Sequence, residues 1–315
     1  MFDRRTDLLR RYGMLIILIL IIGGISLMSR AFLTLSNFLV ITCQVSINGL
    51  VAAGMTLVIL LAGIDLSVGG VIALAGALLA MVLAATGSVW LAVLTGLGVG
   101  ALIGTVNGLF VSYLRLPPFI VTLATLALSR GATLVVTEGR PILVDHPGFE
   151  ALGGGYLGPI PIPVAIMAAV YILLALVLWN TRFGRQVYAI GGNESACRMS
   201  GINVNSVKTI TYALCGTLAG LTAVVLTSRL VSAQPTAGSG YELDAIAAVI
   251  LGGTSMLGGI GGVGGTIVGA FIIGVLANGL NLLNVSPFYQ DVAKGLVILV
   301  AIVLDRVLHV TAEKE

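Results

Sequence analysis

Hydrophobic positions follow one another along this chain in long runs without alternation. Leu15 to Ile22 and Val164 to Trp179 are apolar on every side, whereas a lipid-facing β-strand alternates apolar and polar at every second residue. Runs of about 20 residues suit helices that cross a hydrocarbon core of roughly 30 Å. The pattern therefore predicts an all-α integral membrane protein of about ten transmembrane helices. The expected spans are 14–33, 39–61, 67–86, 90–113, 117–136, 162–180, 209–231, 241–256, 263–283 and 287–304.

Polar interruptions orient these spans. Lysine and arginine accumulate in short cytoplasmic segments. Arg4, Arg5, Arg10 and Arg11 place the N-terminus inside, as do Arg182, Arg185, Arg198 and Lys208 for segment 181–208, and Arg306 and Lys314 for the tail. Segment 137–161 carries Glu138, Asp145 and Glu150 against Arg140, and its glycine and proline content suggests an irregular external loop. Parity then requires an odd number of crossings before it, one after it and an even number beyond 208. Both termini are expected in the cytoplasm. Arg30, Arg130 and Arg229 fall near outer ends, where long side chains snorkel.

Composition agrees: 58% of the 315 residues are hydrophobic and 9% charged, against about 25% charged in soluble domains. Mean hydropathy is +1.11. The net charge of +3 gives no argument for a nucleic-acid partner. Cys43, Cys197 and Cys215 are widely spaced and form no CxxC pair, so neither a disulfide framework nor a zinc site is expected. The apolar block after the N-terminal arginines is longer than a usual signal core and reads as a retained first span.

Two stretches look alike. Asn107-Gly108-Leu109 precedes Pro117-Pro118-Phe119, and Asn278-Gly279-Leu280 precedes Pro287-Phe288; upstream lie the acids of Gly63-Ile64-Asp65-Leu66 and Gly240-Tyr241-Glu242-Leu243-Asp244. The matching spans run in opposite directions, as in the inverted repeats of transporters, although ordinary turn chemistry also places glycine, asparagine and proline at helix ends.

Asp65 interrupts an apolar block long enough for two spans. A carboxylate at mid-bilayer costs about 2.5 to 3.5 kcal/mol on the insertion scale. With Ser67, Asp65 forms either a polar hinge or gate beside a pathway, or a cap at a tight cytoplasmic turn. Glu242 and Asp244 follow a flexible glycine stretch, with Gln234 just before it; helix capping accounts for one acid, and a substrate-facing mouth would use both. Asn107, Asn278 and Asn281 lie within spans as helix glue or as pathway donors and acceptors.

The glycine run 252–265 lacks the Lys-Ser/Thr pair of a phosphate loop. Any ATP chemistry must come from another chain. Segment 191–201 reads as a two-turn helix between spans: Asn193 caps it, Glu194 sits in its first turn, Ala196 in its middle, Arg198 and Met199 in its last turn, and Gly201 ends it. Such a helix can dock in a partner's groove or serve as a plain connector.

Three stretches carry a resemblance: TLVILLAGIDLSVG (56–69), FGRQVYAIGGNESACRMSGINVN (183–205) and SAQPTAGSGYELDAIAAVILGGTS (232–255). They closely resemble the ribose-type permeases of bacterial monosaccharide ABC importers, over nearly the whole chain. That resemblance implies a homodimeric permease in the bacterial inner membrane, fed by a periplasmic sugar-binding protein. It further implies a cytoplasmic ATPase with two nucleotide-binding domains, which uses ATP and magnesium, while this chain binds no cofactor and catalyses no reaction. Residues 191–201 would be the coupling helix. A proton- or ion-coupled secondary transporter using Asp65 or Glu242 is the alternative. An intramembrane enzyme finds no support, since HExxH and GxSxG are absent and His146 and His309 lie in a loop and a tail.

Overall fold

A computed structural model describes residues 4–286, 288–290, 292–296 and 299, with side chains from residue 14 onward. Helices in chain order are α1 (Arg4–Met28), α2 (Leu35–Leu60), α3 (Val68–Thr86), α4 (Val89–Ser112), α5 (Pro118–Thr137), α6 (Pro147–Gly154), α7 (Ile162–Asn180), α8 (Arg182–Gly192), α9 (Glu194–Met199), α10 (Val204–Leu230), α11 (Tyr241–Leu251) and α12 (Val263–Leu282). Seven of them, α2, α3, α4, α5, α7, α10 and α12, are long and apolar enough to cross a membrane. The apolar part of α1, Met14–Met28, is shorter. Half of the expected tenth span, 287–304, lies outside the described residues, as does the tail beyond it.

Helix α2 is the axis of the bundle. Every residue from Leu50 to Leu60 is buried, and α7, α10, α11 and α12 pack around it. Outward faces stay apolar: Leu94, Leu102, Leu128, Ile172 and Leu173 are all exposed, as expected of a surface solvated by lipid.

In hydrocarbon, apolar burial gives helices no reason to associate, and close contact through small residues takes over. The α4–α10 pair is built this way and is the most extensive helix contact in the bundle. Gly96 faces Gly220, Gly100 faces Gly216, Gly104 faces Tyr212 and Gly108 faces Thr209, which makes the two helices antiparallel. A methyl group added at Gly100 would overlap the Gly216 carbonyl oxygen, and one at Gly216 the Gly100 carbonyl oxygen.

Two expectations need correction. The span expected at 241–256 is helical over 241–251, about 16 Å of rise, short of a hydrocarbon core of roughly 30 Å. It stops there because Gly252 meets the backbone of Gly265 and the chain turns through positive-φ Gly253. Segment 137–161, expected to be irregular, holds α6 and two short strand pairs: Ile142–Leu143 pairs with Ser232–Ala233, and Tyr156–Leu157 with Ile160–Pro161. Helix α6 is fastened over the end of α10. Ser228 Oγ donates to the Phe149 carbonyl at 2.6 Å and accepts from Gly153 N at 2.6 Å, and the Phe149 ring is fully buried.

Candidate functional site

The first break in the bundle follows α2. The chain turns at Ala62, with φ +56°, and carries Asp65 back into the protein, where it is 1% exposed. One carboxylate oxygen, Oδ1, accepts from Ser67 N at 2.9 Å and from Ser67 Oγ at 2.6 Å, an arrangement in which aspartate folds the backbone onto its own side chain. Ser67 Oγ accepts from Asn107 Nδ2 at 2.9 Å, and Asn107 Oδ1 accepts from Thr125 Oγ1 at 2.6 Å. One polar chain therefore joins the break to α4 and α5. The other carboxylate oxygen of Asp65 and the hydroxyl of Tyr212 on α10 are buried with no hydrogen-bond partner among the described residues.

A second break follows α10. After Val231, at φ +53°, the chain pairs with the 142–143 strand and then runs as non-helical backbone to Gly240. Gln234 Nε2 donates to Ser232 Oγ at 2.9 Å. Arg130 Nη1 on α5 donates to the Ala237 carbonyl at 2.7 Å and the Pro235 carbonyl at 3.3 Å, holding this stretch down. The stretch ends against the start of α3: a methyl at Gly69 would overlap both the Gly238 carbonyl oxygen and Glu242 Oε2. The N-terminal ends of α3 and α11 thus meet, with a carboxylate oxygen between them that has no hydrogen-bond partner among the described residues. The partial positive charge of a helix N-terminus favours an acid there.

Asp244, in the same first turn and 7% exposed, pairs through Oδ2 with Lys294 Nζ at 3.1 Å. The remaining asparagines lie elsewhere. Asn278 on α12 and Asn37 on α2 exchange amide hydrogen bonds of 2.9 and 3.0 Å, and Asn281 Oδ1 accepts from Gln290 Nε2 at 2.8 Å. The structure therefore gathers Asp65, Ser67 and Asn107 at one break, and Gln234, Glu242 and Asp244 at or beside the other. Asn278 and Asn281 bind helices together. Arg130 and Lys294 join the set without having been singled out for it; charged residues inside apolar segments were the signal.

The polar segment after α7 holds two helices: α9, which is the helix expected within 191–201 with Asn193 as its cap, and α8 before it. Gly191 and Gly192 end α8, and Asn193, extended at φ −157°, starts α9. The physical reason is the cap itself, because Asn193 Oδ1 accepts from Ala196 N at 2.9 Å and so needs a non-helical backbone. Glu194 Oε1 accepts from Arg198 Nη2 at 2.8 Å, Glu194 Oε2 from Lys208 Nζ at 2.6 Å, and Arg198 Nη2 also reaches Asn205 Oδ1 at 2.9 Å. Gly201, at φ +79°, ends the turn. Met199 stands out with 84% of its surface exposed. Behind α9, Gly191 lies against the Leu60 carbonyl, which also accepts from Gly259 N at 2.9 Å. The segment therefore touches the end of α2 just before the Asp65 break.

Partial burial pushes the Glu194 carboxyl upward, but hydrogen bonds from Lys208 and Arg198, together with their charges, hold it below the usual range. A lowered folded-state value makes the stabilisation complete above the ordinary glutamate pKa of about 4.3 and lost as pH falls through the lower folded value. Hydrogen exchange of 193–201, corrected for intrinsic rates, is accordingly expected to keep its protection from pH 7 to 5 and to lose it on further acidification. Protection that is flat into acid would remove the Glu194 clamp from the account.

Comparison with known proteins extends the geometry. Residues 37–302 match the family described as the permease component of branched-chain amino acid transport systems. The chain is 50% identical over 300 residues to the ribose import permease protein of Bacillus subtilis, covering 95% of this chain and 93% of that protein. It is 48% identical to the ribose import permease protein of Haemophilus influenzae, with 93% and 92% covered. Identity to the L-arabinose transport system permease protein of Escherichia coli is 38%, with 94% and 90% covered. No solved structure matches the chain. Seven apolar membrane-length helices, together with likeness along nearly the full length, place the protein plainly: the chain belongs to this family of membrane permease components of transport systems.

Proposed function

We propose that the protein is the membrane-spanning permease subunit of an ATP-driven ABC importer in a bacterial inner membrane, carrying ribose or a similar monosaccharide from periplasm to cytoplasm. The observation that carries this reading is the 50% identity over 95% of the chain to a ribose import permease protein. The family description mentions branched-chain amino acids, but relatives at 38–50% identity bear the names of ribose, L-arabinose and D-allose permease proteins.

In this reading the chain crosses about ten times, with both termini cytoplasmic, and its halves are inverted repeats. The meeting of two helix N-termini, that of α3 just after Asp65 and that of α11 with Glu242 and Asp244 in its first turn, supports that symmetry, because such half-helix ends recur at transporter midplanes. Two copies would form the route. A periplasmic binding protein would deliver sugar, and a separate cytoplasmic ATPase with two nucleotide-binding domains would bind ATP and magnesium. Helix α9, with Asn193, Glu194, Ala196, Arg198, Met199 and Gly201, is the proposed coupling element. The breaks at Asp65 and Glu242 are the proposed moving parts, rocked when α9 is pushed.

Reconstitution into vesicles tests the proposal. Ribose uptake is expected to require ATP, the ATPase and the binding protein together. Uptake by this chain alone, driven by a proton gradient, would replace it with secondary transport.

A further inference from the structure

At the α9 end of the bundle, a cleft of about 410 Å3 opens between the α4–α5 turn and the corner where α9 meets α10. Arg198 and Lys208 line one side, bridged by Glu194; Arg115, in the turn at φ +54°, lines the other. Three cations face one carboxylate. Glu194 is committed to Arg198 and Lys208, while Arg115 makes no ion pair or side-chain hydrogen bond among the described residues. The cleft therefore holds an excess of positive charge with one uncommitted guanidinium.

Its remaining wall is apolar and does not stop at the rim. Leu116 lines the cleft, and the surface continues onto α5 through Phe119 and Ile120, 53% and 61% exposed. Tyr113, 55% exposed, stands in the same turn, where aromatic rings with a polar tip mark a membrane–water boundary. A soluble carboxylate would need the charge alone. The join of a basic cleft to an exposed apolar helix face matches a molecule with a phosphate at one end and hydrocarbon at the other, and basic pockets between cytoplasmic helix ends are where anionic headgroups bind.

We propose that this cleft holds the headgroup phosphate of an anionic phospholipid, with Arg115 supplying the free charge and an acyl chain lying along Leu116, Phe119 and Ile120. The lipid would bridge the α4–α5 turn to Arg198 of α9, across a cleft beside which α4 and α10 are already tied by the Ser112–Thr209 hydroxyl contact of 2.9 Å. The inference rests on the cytoplasmic orientation of α9 proposed above, but its lipid-binding measurement requires neither sugar nor ATPase, so failure of the transport reading leaves the lipid result standing and the reverse also holds.

Native mass spectrometry of the full-length permease, titrated with dioleoylphosphatidylglycerol, dioleoylphosphatidylcholine or inorganic phosphate, reads the site directly. The unmodified protein is expected to bind phosphatidylglycerol in preference to both other probes. Arg115→Gln is expected to reduce bound phosphatidylglycerol about fivefold, the scale of one basic residue at an anionic surface. Arg115→Lys should retain most of the binding, and Arg140→Gln, in the segment before α6, should change nothing. Equal binding of the two lipids by the unmodified protein overturns the proposal even if a variant fails to fold. Equal binding of inorganic phosphate reduces the cleft to a free-anion site and overturns it too. Should Arg115→Gln leave lipid binding intact but weaken copurification of the ATPase, the cleft serves a protein partner instead.

Discussion

Gly100→Val is expected to prevent the protein from accumulating as a folded, monodisperse species, whereas Gly98→Val, on the same helix, is expected to be tolerated. The space around a side chain at position 100 is occupied by backbone, not by another side chain that can swing away: the Gly216 carbonyl stands where the first carbon would go. Around Gly98 nothing lies within 4 Å. Overpacking a core that can adjust costs about 1–3 kcal/mol. Here α4 cannot shift locally, because Gly96, Gly104 and Gly108 fix the same crossing, so the helices must part along their length. Lipid offers no hydrophobic compensation for the lost contact, and total stabilities are only about 5–15 kcal/mol. Parting α4 from α10 would also pull Asn107 away from Ser67, opening the polar chain at the Asp65 break. Size-exclusion profiles and protease resistance in detergent measure the effect, with Gly100→Ala expected to fall between the two. If Gly98→Val is as damaging as Gly100→Val, helix propensity and not close approach governs this interface.

Much of this architecture was legible along the chain because each helix must satisfy its own backbone in lipid, so apolar length and helix length coincide. The expected span 162–180 and helix α7 share both ends, and α3 begins one residue after the expected 67. The first break was marked by Asp65 within apolar sequence, and the second by the glycine stretch that leads into Glu242 and Asp244 at the start of α11. The same length rule misled at 241–256, where it asked for a longer helix than the 11 residues of α11. Helix α6 was missed although Pro147 in its first turn and Glu150 close behind it are start signals; its glycine-rich end outweighed them. What no local pattern carries is partnership across long separations. Arg130 finds the carbonyls of Pro235 and Ala237, and Lys294 finds Asp244, because folding brings these segments together, and position along the chain holds no record of that.

Ala196→Pro is expected to abolish the stimulation of ATPase activity by sugar-loaded binding protein in the assembled transporter, while leaving the amount of inserted permease unchanged. Helix α9 has six residues, far below the length at which a helix is stable in water on its own, so its form depends on a few specific bonds. The Ala196 amide is the donor to the Asn193 cap. Proline has no such donor, and it also biases Ser195 away from helical backbone. With the cap lost, Glu194 and Arg198 no longer stand one turn apart, and the exposed Met199 loses its fixed position. None of these residues lies in a membrane-length helix, so the bundle should assemble as before. The transmission argument is the contact behind α9: Gly191 and Gly259 both lie on the Leu60 carbonyl, so a displaced α8–α9 corner bears on the end of α2 and thereby on the turn that holds Asp65. Arg198→Glu, which sets two acids one turn apart, should act in the same direction. Normal stimulation by Ala196→Pro, with the ATPase bound in normal amount, would show that the push enters the permease somewhere other than α9.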